Sequence, residues 1–415
     1  MKVAVLGAGV VGIAAAWYLR QAGHEVTVIE RREAAGLETS YANGGQISVS
    51  HAEPWASPAA LRKMLAWLGR EDAPLLFRLR ADPRQWAWGL RFLAECAPAR
   101  HRANTARLVQ LGLYSRDCLR ELRSALGLHY DEQVRGILHF YLDAAEYEAA
   151  LRTAAFMRAL GVERRPLGAD EAIGIEPALA PLRARLAGAT YCADDESGDA
   201  HLFTAQLAER LAATGVEFAY RTEVVRLEAE GDRIVHAVTT TGARIAADAF
   251  VVSLGSWTPA LVRPLGLRLP IYPVKGYSVT MPVADRARAW TVSLTDEAAK
   301  LVFSRLGDRL RIAGTAELTG YDTTLTESRC RAILARTGEL FPGAGDTARA
   351  VYWAGLRPAT PSNVPCLGRS RRHRNLFLDT GHGTLGWTHA CGSGRLIADW
   401  VDGRKSALDW PELVD

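Results

Sequence analysis

The sequence contains few cysteines, and no two of them are closely spaced. Its six thiols lie far apart in a chain of 415 residues, at positions 96, 118, 192, 330, 366 and 391. Without a CxxC pair or a metal-ligand spacing, we expect reduced thiols, with neither a zinc site nor an iron–sulfur cluster. The HExxH motif is also missing, and we interpret the acidic group at 194–199 as a loop. We therefore expect no metal site.

Long apolar runs and a strong charge imbalance are also missing. No run of about 18 apolar residues is present to span a bilayer. The net charge of +4 is too small to indicate a nucleic-acid partner. An apolar strand begins directly after Met1 and leaves no length for a secretory leader, so we expect a cytoplasmic protein. The chain exceeds the usual size of a single core, and two domains are expected.

The first twelve residues carry the most informative pattern. An apolar strand at 2–6 leads into Gly-Ala-Gly-Val-Val-Gly and then into a helix. Gly7 allows a tight turn, Gly9 lets a pyrophosphate approach the backbone, and Gly12 lets the helix pack on the strand. The N-terminus of that helix then faces the phosphates. The predicted dinucleotide-binding residues are Gly7, Ala8, Gly9, Val10, Val11 and Gly12.

A second apolar strand, at 26–29, ends at an acidic residue, Glu30. In dinucleotide-binding folds, an acidic residue about 20 positions after the glycine motif binds the ribose hydroxyls. Its charge repels a 2′-phosphate. We therefore expect Glu30 to contact the ribose, with Arg31 beside it.

Near the C-terminus, a second glycine-rich turn links a strand to a helix. It reads Thr-Gly-His-Gly-Thr-Leu-Gly-Trp at 380–387, and the helix is predicted from about 385 to 401. Its glycines let the backbone lie against a flat ligand, and the helix amides can face the N1–C2=O edge of a flavin. This second turn favours FAD over a nicotinamide cofactor. The predicted contacts here are Gly381, Gly383, Thr384, Leu385 and Gly386.

The order of patterns along the chain predicts an α/β fold with two domains. A Rossmann-like FAD-binding domain is assigned to 1–54, 195–267 and 351–415. A discontinuous α+β substrate domain is assigned to 55–194 and 268–350, with a helical insert at about 55–160. A helix at 202–213, a hairpin at 234–245 and a buried strand at 249–254 belong to the first of these domains.

Residues 54–100 combine positive charge with indole rings. This segment has eight basic residues and four acidic ones, and it holds four of the eleven tryptophans. Indoles beside lysine and arginine suit the headgroup region of an anionic membrane. Trp86, Leu90 and Leu93 share a helical face that Trp88 does not share. We therefore expect peripheral contact with the inner face of the cell membrane, or alternatively a core that buries these indoles.

Four short motifs, in order along the chain, carry a resemblance to known proteins. They are Glu-Thr-Ser and Asn-Gly-Gly-Gln-Ile-Ser within 38–48, Tyr-Pro-Val-Lys-Gly-Tyr-Ser at 272–278, Trp-Ala-Gly-Leu-Arg-Pro at 353–358, and the turn at 380–387. Together they resemble the D-amino-acid oxidase superfamily of FAD-dependent oxidoreductases. Within it, the chain is most similar to the bacterial D-amino acid dehydrogenases of the small-subunit type. The resemblance runs nearly from end to end.

The resemblance implies a D-amino-acid oxidase-like fold with non-covalent FAD. It also implies oxidation of D-amino acids to imino acids, which hydrolyse to 2-oxo acids and ammonia. Electrons are then expected to pass to a membrane quinone rather than chiefly to O₂. Further FAD contacts implied by the matching positions are Ser40, Asn43, Gly44, Gln46, Ile47, Val224 and Gly255.

Arg357 is the first candidate for binding the substrate carboxylate. Its guanidinium offers a bidentate fork, and related amine-oxidising flavoenzymes have an arginine in a similar Gly-Leu-Arg-Pro context. Tyr272 and Tyr277 are candidates for added hydrogen bonds to the carboxylate, although either could simply pack in a sheet. His382 is a candidate for the flavin edge or for orienting substrate. Lys275 is interpreted as a solvated lysine on a strand.

The inferred mechanism needs little acid–base machinery. A deprotonated amino acid delivers its Cα hydride to flavin N5 when the carboxylate is anchored and Cα lies within about 3.5 Å of N5. Some relatives that act on small amino acids have a second arginine in the last turn, where this chain has Thr384-Leu385-Gly386. D-Proline and cis-4-hydroxy-D-proline remain open as substrates. An oxidase that uses O₂ and a non-catalytic FAD-binding module also remain open.

Overall fold

The computed structural model describes residues 1–60 and 74–414. Its strands, in chain order, are β1 Lys2–Leu6, β2 Glu25–Ile29, β3 Gln46–Ile47, β4 Leu75–Phe77, β5 Ile137–Tyr141, β6 Arg165–Leu167, β7 Gly188–Cys192, β8 Glu196–Ser197, β9 Glu217–Ala219, β10 Val224–Glu230, β11 Arg233–Thr239, β12 Arg244–Ala246, β13 Ala249–Val252, β14 Tyr272–Pro282, β15 Ser293–Asp296, β16 Leu301–Leu306, β17 Arg309–Leu318, β18 Val351–Ala359, β19 Cys366–Ser370, β20 Leu376–Thr380 and β21 Leu413–Val414. Its α-helices are α1 Val10–Gln21, α2 Pro83–Glu95, α3 Pro98–Leu126, α4 Ala144–Ala159, α5 Ala169–Ile175, α6 Ala200–Ala213, α7 Thr258–Val262, α8 Glu327–Leu340 and α9 Gly386–Val401.

The first sheet has seven strands in the order β21-β19-β20-β13-β1-β2-β9. Strand β1 lies parallel between β2 and β13, with Leu6 beside both Ile29 and Val252. The residues of β13 and β20 are all buried, as in a parallel sheet that is covered on both faces. Because β1, β2, β13 and β20 end at the same edge, the loops that follow them share one crevice.

Helices α1 and α9 pack against each other and on one face of this sheet. Glycine makes the close approach possible at two points. A Cβ atom on Gly12 of α1 would lie 2.0 Å from the Gly7 carbonyl oxygen. A Cβ atom on Gly394 of α9 would lie 2.6 Å from the Ala15 backbone nitrogen. A larger residue at Gly12 would push α1 away from the glycine turn that precedes it. A larger residue at Gly394 would push α9 away from α1.

The second sheet has nine strands, in the order β18-β14-β17-β16-β15-β5-β7-β6 with β4 beside β17. Strand β14 runs antiparallel to both β17 and β18. Helix α8 packs on this sheet over an aromatic cluster of Trp290, Phe303 and Phe341, whose ring centroids lie 5.1–5.3 Å apart. The core of this unit is separate from the core around α1 and α9.

The strand pairing corrects two of the predicted segments. Strand β18 was assigned to the cofactor domain, but it pairs with β14 from Tyr272 beside Ala359 to Thr280 beside Val351. The second sheet therefore extends to Ala359 rather than ending at residue 350. The insert at 55–160, expected to be helical, also contributes β4 and β5 to this sheet. An apolar strand has the same pattern in either sheet, so the sequence does not reveal which partner it joins.

Local patterns predicted the elements themselves more closely. Helix α6 begins two residues before the predicted start, because the Asp199 carboxylate accepts hydrogen bonds from the His201 and Leu202 amides. The predicted hairpin forms β11 and β12, and β10 adds a third strand to it. None of the helices within the described ranges is both long and apolar enough to cross a bilayer.

Candidate active site

A cavity of about 1180 Å³ lies at the carboxyl ends of the parallel strands. Its walls come from both sheets, from the loops after β1 and β2, and from the second glycine-rich turn. The lining thus includes residues that are more than 300 positions apart in the chain. Its size is that of a site for a large cofactor together with a small substrate.

The glycine motif forms one end of this cavity. Gly7 has φ 102°, a value that an L-residue with a side chain rarely adopts, and its amide donates to the Ile29 carbonyl. A Cβ atom on Gly9 would meet only the Ser40 hydroxyl, at 3.6 Å, so the backbone is open to the cavity. The N-cap residue of α1 is Gly9, which has no side chain to cover the helix N-terminus. A phosphate group fits this helix N-terminus.

Glu30 lies at the end of β2 and is buried at the cavity wall. Its two carboxylate oxygens accept hydrogen bonds from the Ala8 and Arg32 amides, each at 2.8 Å. Both oxygens keep lone pairs, because a carboxylate has about four acceptor sites. Arg31 binds Glu38 at 2.6 Å and lies 4.4 Å from the centre of the Trp257 ring. The arrangement fits a ribose whose hydroxyls donate to Glu30.

The loop after β2 brings several predicted cofactor residues to the wall. The Ser40 hydroxyl accepts from the Val10 amide at 3.0 Å, and the Asn43 side chain accepts from the Gly45 amide. The Gln46 side-chain amide donates to the Ser293 hydroxyl at 3.0 Å and thereby joins this loop to the second sheet. Gly44 lies against Val302, which leaves no room for a side chain.

Most of the predicted cofactor residues line the cavity, and three do not. Those at the wall are Gly7, Gly9, Val10, Val11, Glu30, Arg31, Ser40, Asn43, Gly44, Gln46, Val224, Gly255, Gly381, Gly383, Thr384, Leu385 and Gly386. Ala8, Gly12 and Ile47 lie behind it. Ala8 acts through its amide on Glu30, Gly12 through packing of α1, and Ile47 is a core residue. For these three residues, the predicted direct contact with the cofactor is therefore replaced by a supporting role behind the cavity wall.

The second glycine-rich turn crosses the cavity wall before α9. Gly381 and Gly383 have φ 81° and 55°, and the Gly383 amide donates to the Pro358 carbonyl. That bond and the bridge between Ala359 and His382 tie the turn to the end of β18. The turn is therefore held to the strand that carries Arg357.

The Arg357 guanidinium is the main cationic group at the substrate end of the cavity. Its Nη1 donates to the Thr315 carbonyl at 2.7 Å, and no carboxylate of the described residues lies within 4.0 Å. Burial, together with the nearby Arg329, lowers the pKa of Arg357 to about 10, so the group stays charged at neutral pH. The guanidinium lies flat on Gly276, where a Cβ atom would be 2.4 Å from Cζ. A half-buried cation without an anionic partner fits an incoming carboxylate.

Neither predicted tyrosine has a hydroxyl free at the wall. Tyr277 lines the cavity, but its hydroxyl donates to Glu317 at 2.6 Å. Tyr272 is absent from the lining. Lys275, expected to be solvated, is only 1% exposed and pairs with Glu317 at 3.4 Å. The pattern of β14 did not reveal this cluster, since its partner Glu317 comes from β17.

A second buried network was not predicted from the sequence. The His139 Nδ1 atom lies 3.0 Å from a Glu297 carboxylate oxygen. The His51 ring stacks on the His139 ring, with 5.1 Å between centroids and 13° between planes. Against the opposing effect of burial, Lys300 and His139 hold the pKa of Glu297 well below its usual range. These groups lie within 4.8 Å, near enough to share a metal ion. However, nearly parallel rings direct their lone pairs along separate planes, and Lys300 already neutralises Glu297.

The acidic group at 194–199 has structural partners. The buried Asp195 carboxylate accepts from the Ser48 and Ser50 hydroxyls and from the Val49 amide. Asp199 caps α6 and pairs with Arg309 at 3.0 Å. This group was expected to be a loop, but most of it is buried and joins the loop after β3 to the second sheet.

Helix α2 has a buried face toward the cavity and an apolar face toward solvent. Trp88 and Phe92 are buried, and Phe92 lines the cavity. Trp86, Leu90 and Leu93 are 51%, 69% and 44% exposed. The core interpretation is therefore confirmed for Trp88, and membrane contact by the exposed face stays a prediction. Six of the residues counted in the sequence lie outside the described residues: Arg62, Lys63, Trp67, Arg70, Glu71 and Asp72.

Comparison with known proteins gives consistent matches over the whole chain. A family model described as FAD dependent oxidoreductase (DAO) matches residues 2–400. A D-amino acid dehydrogenase from Paramagnetospirillum magneticum is 58% identical over 414 residues, covering 100% of this chain and 98% of the relative. Another, from Dechloromonas aromatica, is 55% identical over 417 residues and covers 100% of both chains.

Solved structures give the same architecture. Glycine oxidase from Geobacillus kaustophilus superposes with a TM-score of 0.75 at 25% identity, covering 98% of this chain and 96% of that one. L-Proline dehydrogenase from P. horikoshii has a TM-score of 0.73 at 19% identity, covering 98% and 94%. The second similarity is one of fold alone.

Proposed function

The chain belongs to the DAO family of FAD-dependent oxidoreductases, and from this premise we propose that it oxidises D-amino acids to 2-oxo acids and ammonia. Its cofactor is FAD. Two relatives named D-amino acid dehydrogenase, at 58% and 55% identity over the full chain, support the reaction and the stereochemistry of the substrate.

One observation in this chain supports the substrate class directly. The Arg357 side chain is half-buried at the cavity wall and has no carboxylate partner among the described residues. A cation in such a place is costly unless an anion joins it. An α-carboxylate supplies that anion and two acceptor oxygens in a matching plane. We therefore assign the substrate carboxylate to Arg357.

The cofactor and the substrate are bound by different parts of the same cavity. The glycine motif and Glu30 would hold the dinucleotide part of FAD, and the second glycine-rich turn would hold the flavin end. FAD held there would supply the acceptor for a hydride that leaves the substrate Cα. Loss of this hydride and of an amine proton leaves an imino acid, which water hydrolyses to the 2-oxo acid and ammonia.

In this proposal the protein acts mainly by positioning the substrate relative to the cofactor. Arg357 fixes the carboxylate, and its distance to the flavin turn is constant because β18 is bonded to that turn through Pro358 and Ala359. Such fixation of a reacting group supplies several kcal/mol of rate enhancement, up to about 7–11 in favourable cases. Tyr277 then acts as a wall residue whose hydroxyl is held by Glu317, and His382 supports the turn.

For the electron acceptor, we propose a quinone reached at an anionic membrane surface. The exposed face of α2 supports this, because Trp86, Leu90 and Leu93 form an apolar patch next to basic Arg84 and Arg91. Indole and leucine side chains enter the interface, and arginine is attracted to anionic headgroups. Phe92, on the opposite face of the same helix, lines the cavity. The helix thus connects the proposed docking face with the site of oxidation.

The first experiment is an anaerobic reduction of the purified holoprotein. A panel of D- and L-amino acids, with D-proline and cis-4-hydroxy-D-proline, is added while the oxidised flavin band is followed. We expect bleaching by D-substrates only, and the order of rates distinguishes a broad dehydrogenase from a proline specialist. A flavin that no amino acid bleaches, but that dithionite does, contradicts the proposed substrate class and leaves a non-catalytic FAD-binding module.

The second experiment tests the role of Arg357. We expect Arg357→Ala to retain FAD but to lose substrate affinity by about 100-fold, corresponding to about 2.7 kcal/mol for a charged hydrogen-bonded pair. Arg357→Lys keeps the positive charge but lacks the planar fork, so we expect it to retain only part of the wild-type substrate affinity. The exposed Arg349, two residues before β18, serves as the control in Arg349→Ala. Unchanged KM and kcat in the Arg357→Ala protein would refute the assignment.

A further inference from the structure

A carboxyl group is buried beneath the second glycine-rich turn without a partner to account for it. Asp379 lies in β20, is 1% exposed and lines the cavity. Neither of its oxygens has a hydrogen-bond partner among the described residues. The group directly precedes the turn at 380–387 that is predicted to bind the flavin.

The surroundings of Asp379 contain no fixed cation. From the turn, the His382 Nε2 atom lies 3.4 Å from an Asp379 oxygen, and it is itself without a hydrogen bond. From α9, Ser393 faces Asp379, although its hydroxyl donates to the Ala390 carbonyl, and the His389 ring lies 6.3 Å from the His382 ring. Along the described chain, no lysine or arginine contributes to the ionisation of Asp379.

In these surroundings the group holds a proton. Burial raises the pKa of Asp379 to about 8, and the nearby Ser393 hydroxyl, whose hydrogen bond goes to the Ala390 carbonyl, offsets only part of the rise. Burial lowers the pKa of His382 to about 3 and that of His389 to about 4. At neutral pH both histidines are therefore neutral and the proton stays on the carboxyl. A neutral acid avoids the cost of an unpaired charge in the interior.

We propose that Asp379 couples the redox state of the cofactor to proton uptake, binding a proton from solvent when FAD is reduced under mildly alkaline conditions. Two electrons enter the cofactor in this step, and one additional proton binds to the Asp379 carboxylate. The inference depends on FAD occupying this cavity, and it is independent of the amino acid oxidised or the acceptor used.

The physical reason is electrostatic. Reduction adds negative charge to the flavin, and a nearby negative charge disfavours an ionised carboxylate. The pKa of Asp379 thus rises further in the reduced protein. Below about pH 8 the group is protonated in both redox states and nothing changes. Above it, the oxidised protein has lost this proton and the reduced protein regains it.

The test is the pH dependence of the midpoint potential, measured on the holoprotein with mediator dyes and dithionite from pH 6 to 10. Each extra proton bound per two electrons changes the equilibrium constant of reduction tenfold per pH unit. This corresponds to a change of about 30 mV per pH unit in the midpoint potential. We expect the wild-type potential to fall more steeply with pH above about pH 8 than that of Asp379→Asn, by up to this amount. The amide is isosteric but cannot titrate.

The control is Asp399→Asn, which removes a carboxyl of α9 that lies outside the cavity lining and pairs with Arg404. We expect it to keep the wild-type pH profile. Equal slopes in wild type and Asp379→Asn overturn the proposal, as does the same change of slope in Asp399→Asn.

A measurement on the wild type alone covers the case in which the variant fails to fold. Reduced-minus-oxidised infrared spectra at pH 9, with and without ¹³C-labelled aspartate, report protonation of carboxyl groups. We expect a carboxylic acid C=O band to appear on reduction and to shift with the label. If no such band appears, Asp379 does not take up a proton and the proposal is wrong. Chemical reduction by dithionite keeps this result separate from the question of which substrate the protein oxidises.

Discussion

The absence of a side chain at Gly276 determines where the Arg357 guanidinium lies. A Cβ atom at this position would be 2.4 Å from both Cζ and Nη2 of Arg357. Contacts below 3.0 Å do not occur between real Cβ atoms and their neighbours, so the arginine would have to move. Because β14 and β18 pair directly at Gly276 and Gly355, the backbone cannot yield easily.

We expect Gly276→Ala to raise KM for the amino acid by about 10- to 100-fold, or about 1.4–2.7 kcal/mol, since the displaced fork makes poorer hydrogen bonds to the carboxylate. Steady-state kinetics and FAD content of the purified variant check this. Gly338→Ala is the matched control, because Gly338 is on the exposed side of α8 and a Cβ atom there meets nothing within 4 Å. A wild-type KM in Gly276→Ala would contradict the role of this contact.

Single residues differed in how far the sequence revealed them. Gly7, Gly9 and Arg357, marked by local spacing and a short motif, lie at the cavity wall, and their roles stay predictions. Lys275 and Tyr277 were placed wrongly or incompletely, since both depend on Glu317, which is 40 or more positions away in β17. The His51 and His139 pair carries no local signal at all, because the two rings meet only when β5 joins the second sheet.

Helix α2 has two faces of different character. Its inner face packs Trp88 and Phe92 against the strand β14, and its outer face exposes Leu90 and Trp86. The 3.6-residue period predicted this division. It did not show which face is buried, because tryptophan is as suitable for a core as for an interface.

We expect the holoprotein to sediment with phosphatidylglycerol vesicles at low salt, and less so at high salt or with phosphatidylcholine vesicles. Leu90→Glu should lower the partition coefficient about 10-fold or more, since an inserted leucine contributes about 1.5–3 kcal/mol. Val351→Glu places the same charge at another exposed apolar residue and should have no effect. If Leu90→Glu binds like wild type, the outer face of α2 is not the docking surface.

The bounds of strands and helices were predicted well where the local sequence pattern is sufficient. Sheet membership was predicted poorly, because it depends on distant strands. The bounds of α6 and the hairpin at β11 and β12 came close to those observed. Assignment of β18 to a sheet was wrong, because the same apolar residues fit either sheet. The difference is physical: periodicity reports burial of a face, whereas sheet membership depends on hydrogen bonds to distant strands.

At the scale of the whole molecule, buried titratable groups make stability depend on pH. His139, His382 and His389 are fully buried, and burial lowers the pKa of each below its usual value. In the unfolded chain these histidines bind protons near pH 6.5. Asp379 affects the pH dependence of stability in the opposite direction, because the folded protein holds a proton up to about pH 8 that the unfolded chain has lost.

We expect the free energy of unfolding to decrease as the pH falls from about 6.5 to 5. In this range the unfolded state binds more protons than the folded state, since three histidines outweigh one aspartic acid. Each excess proton contributes up to about 1.4 kcal/mol per pH unit. Chemical denaturation of the holoprotein at several pH values measures the slope. The exposed His129 provides the control in His129→Asn, which should leave the slope unchanged, and a stability that rises toward pH 5 would contradict the prediction.

The strand order of the first sheet has a consequence for how a new molecule is made. Strand β1, translated first, lies beside β13 and shares its sheet with β20, which ends at Thr380. At about 5–20 residues per second, the opening glycine motif therefore waits roughly 20 to 75 s before the strands that complete its crevice emerge from the ribosome. FAD can be loaded only after β20 has been made. A nascent polypeptide interrupted before β20 has the motif but not the site, and it exposes the edge of an incomplete parallel sheet to chaperones and proteases.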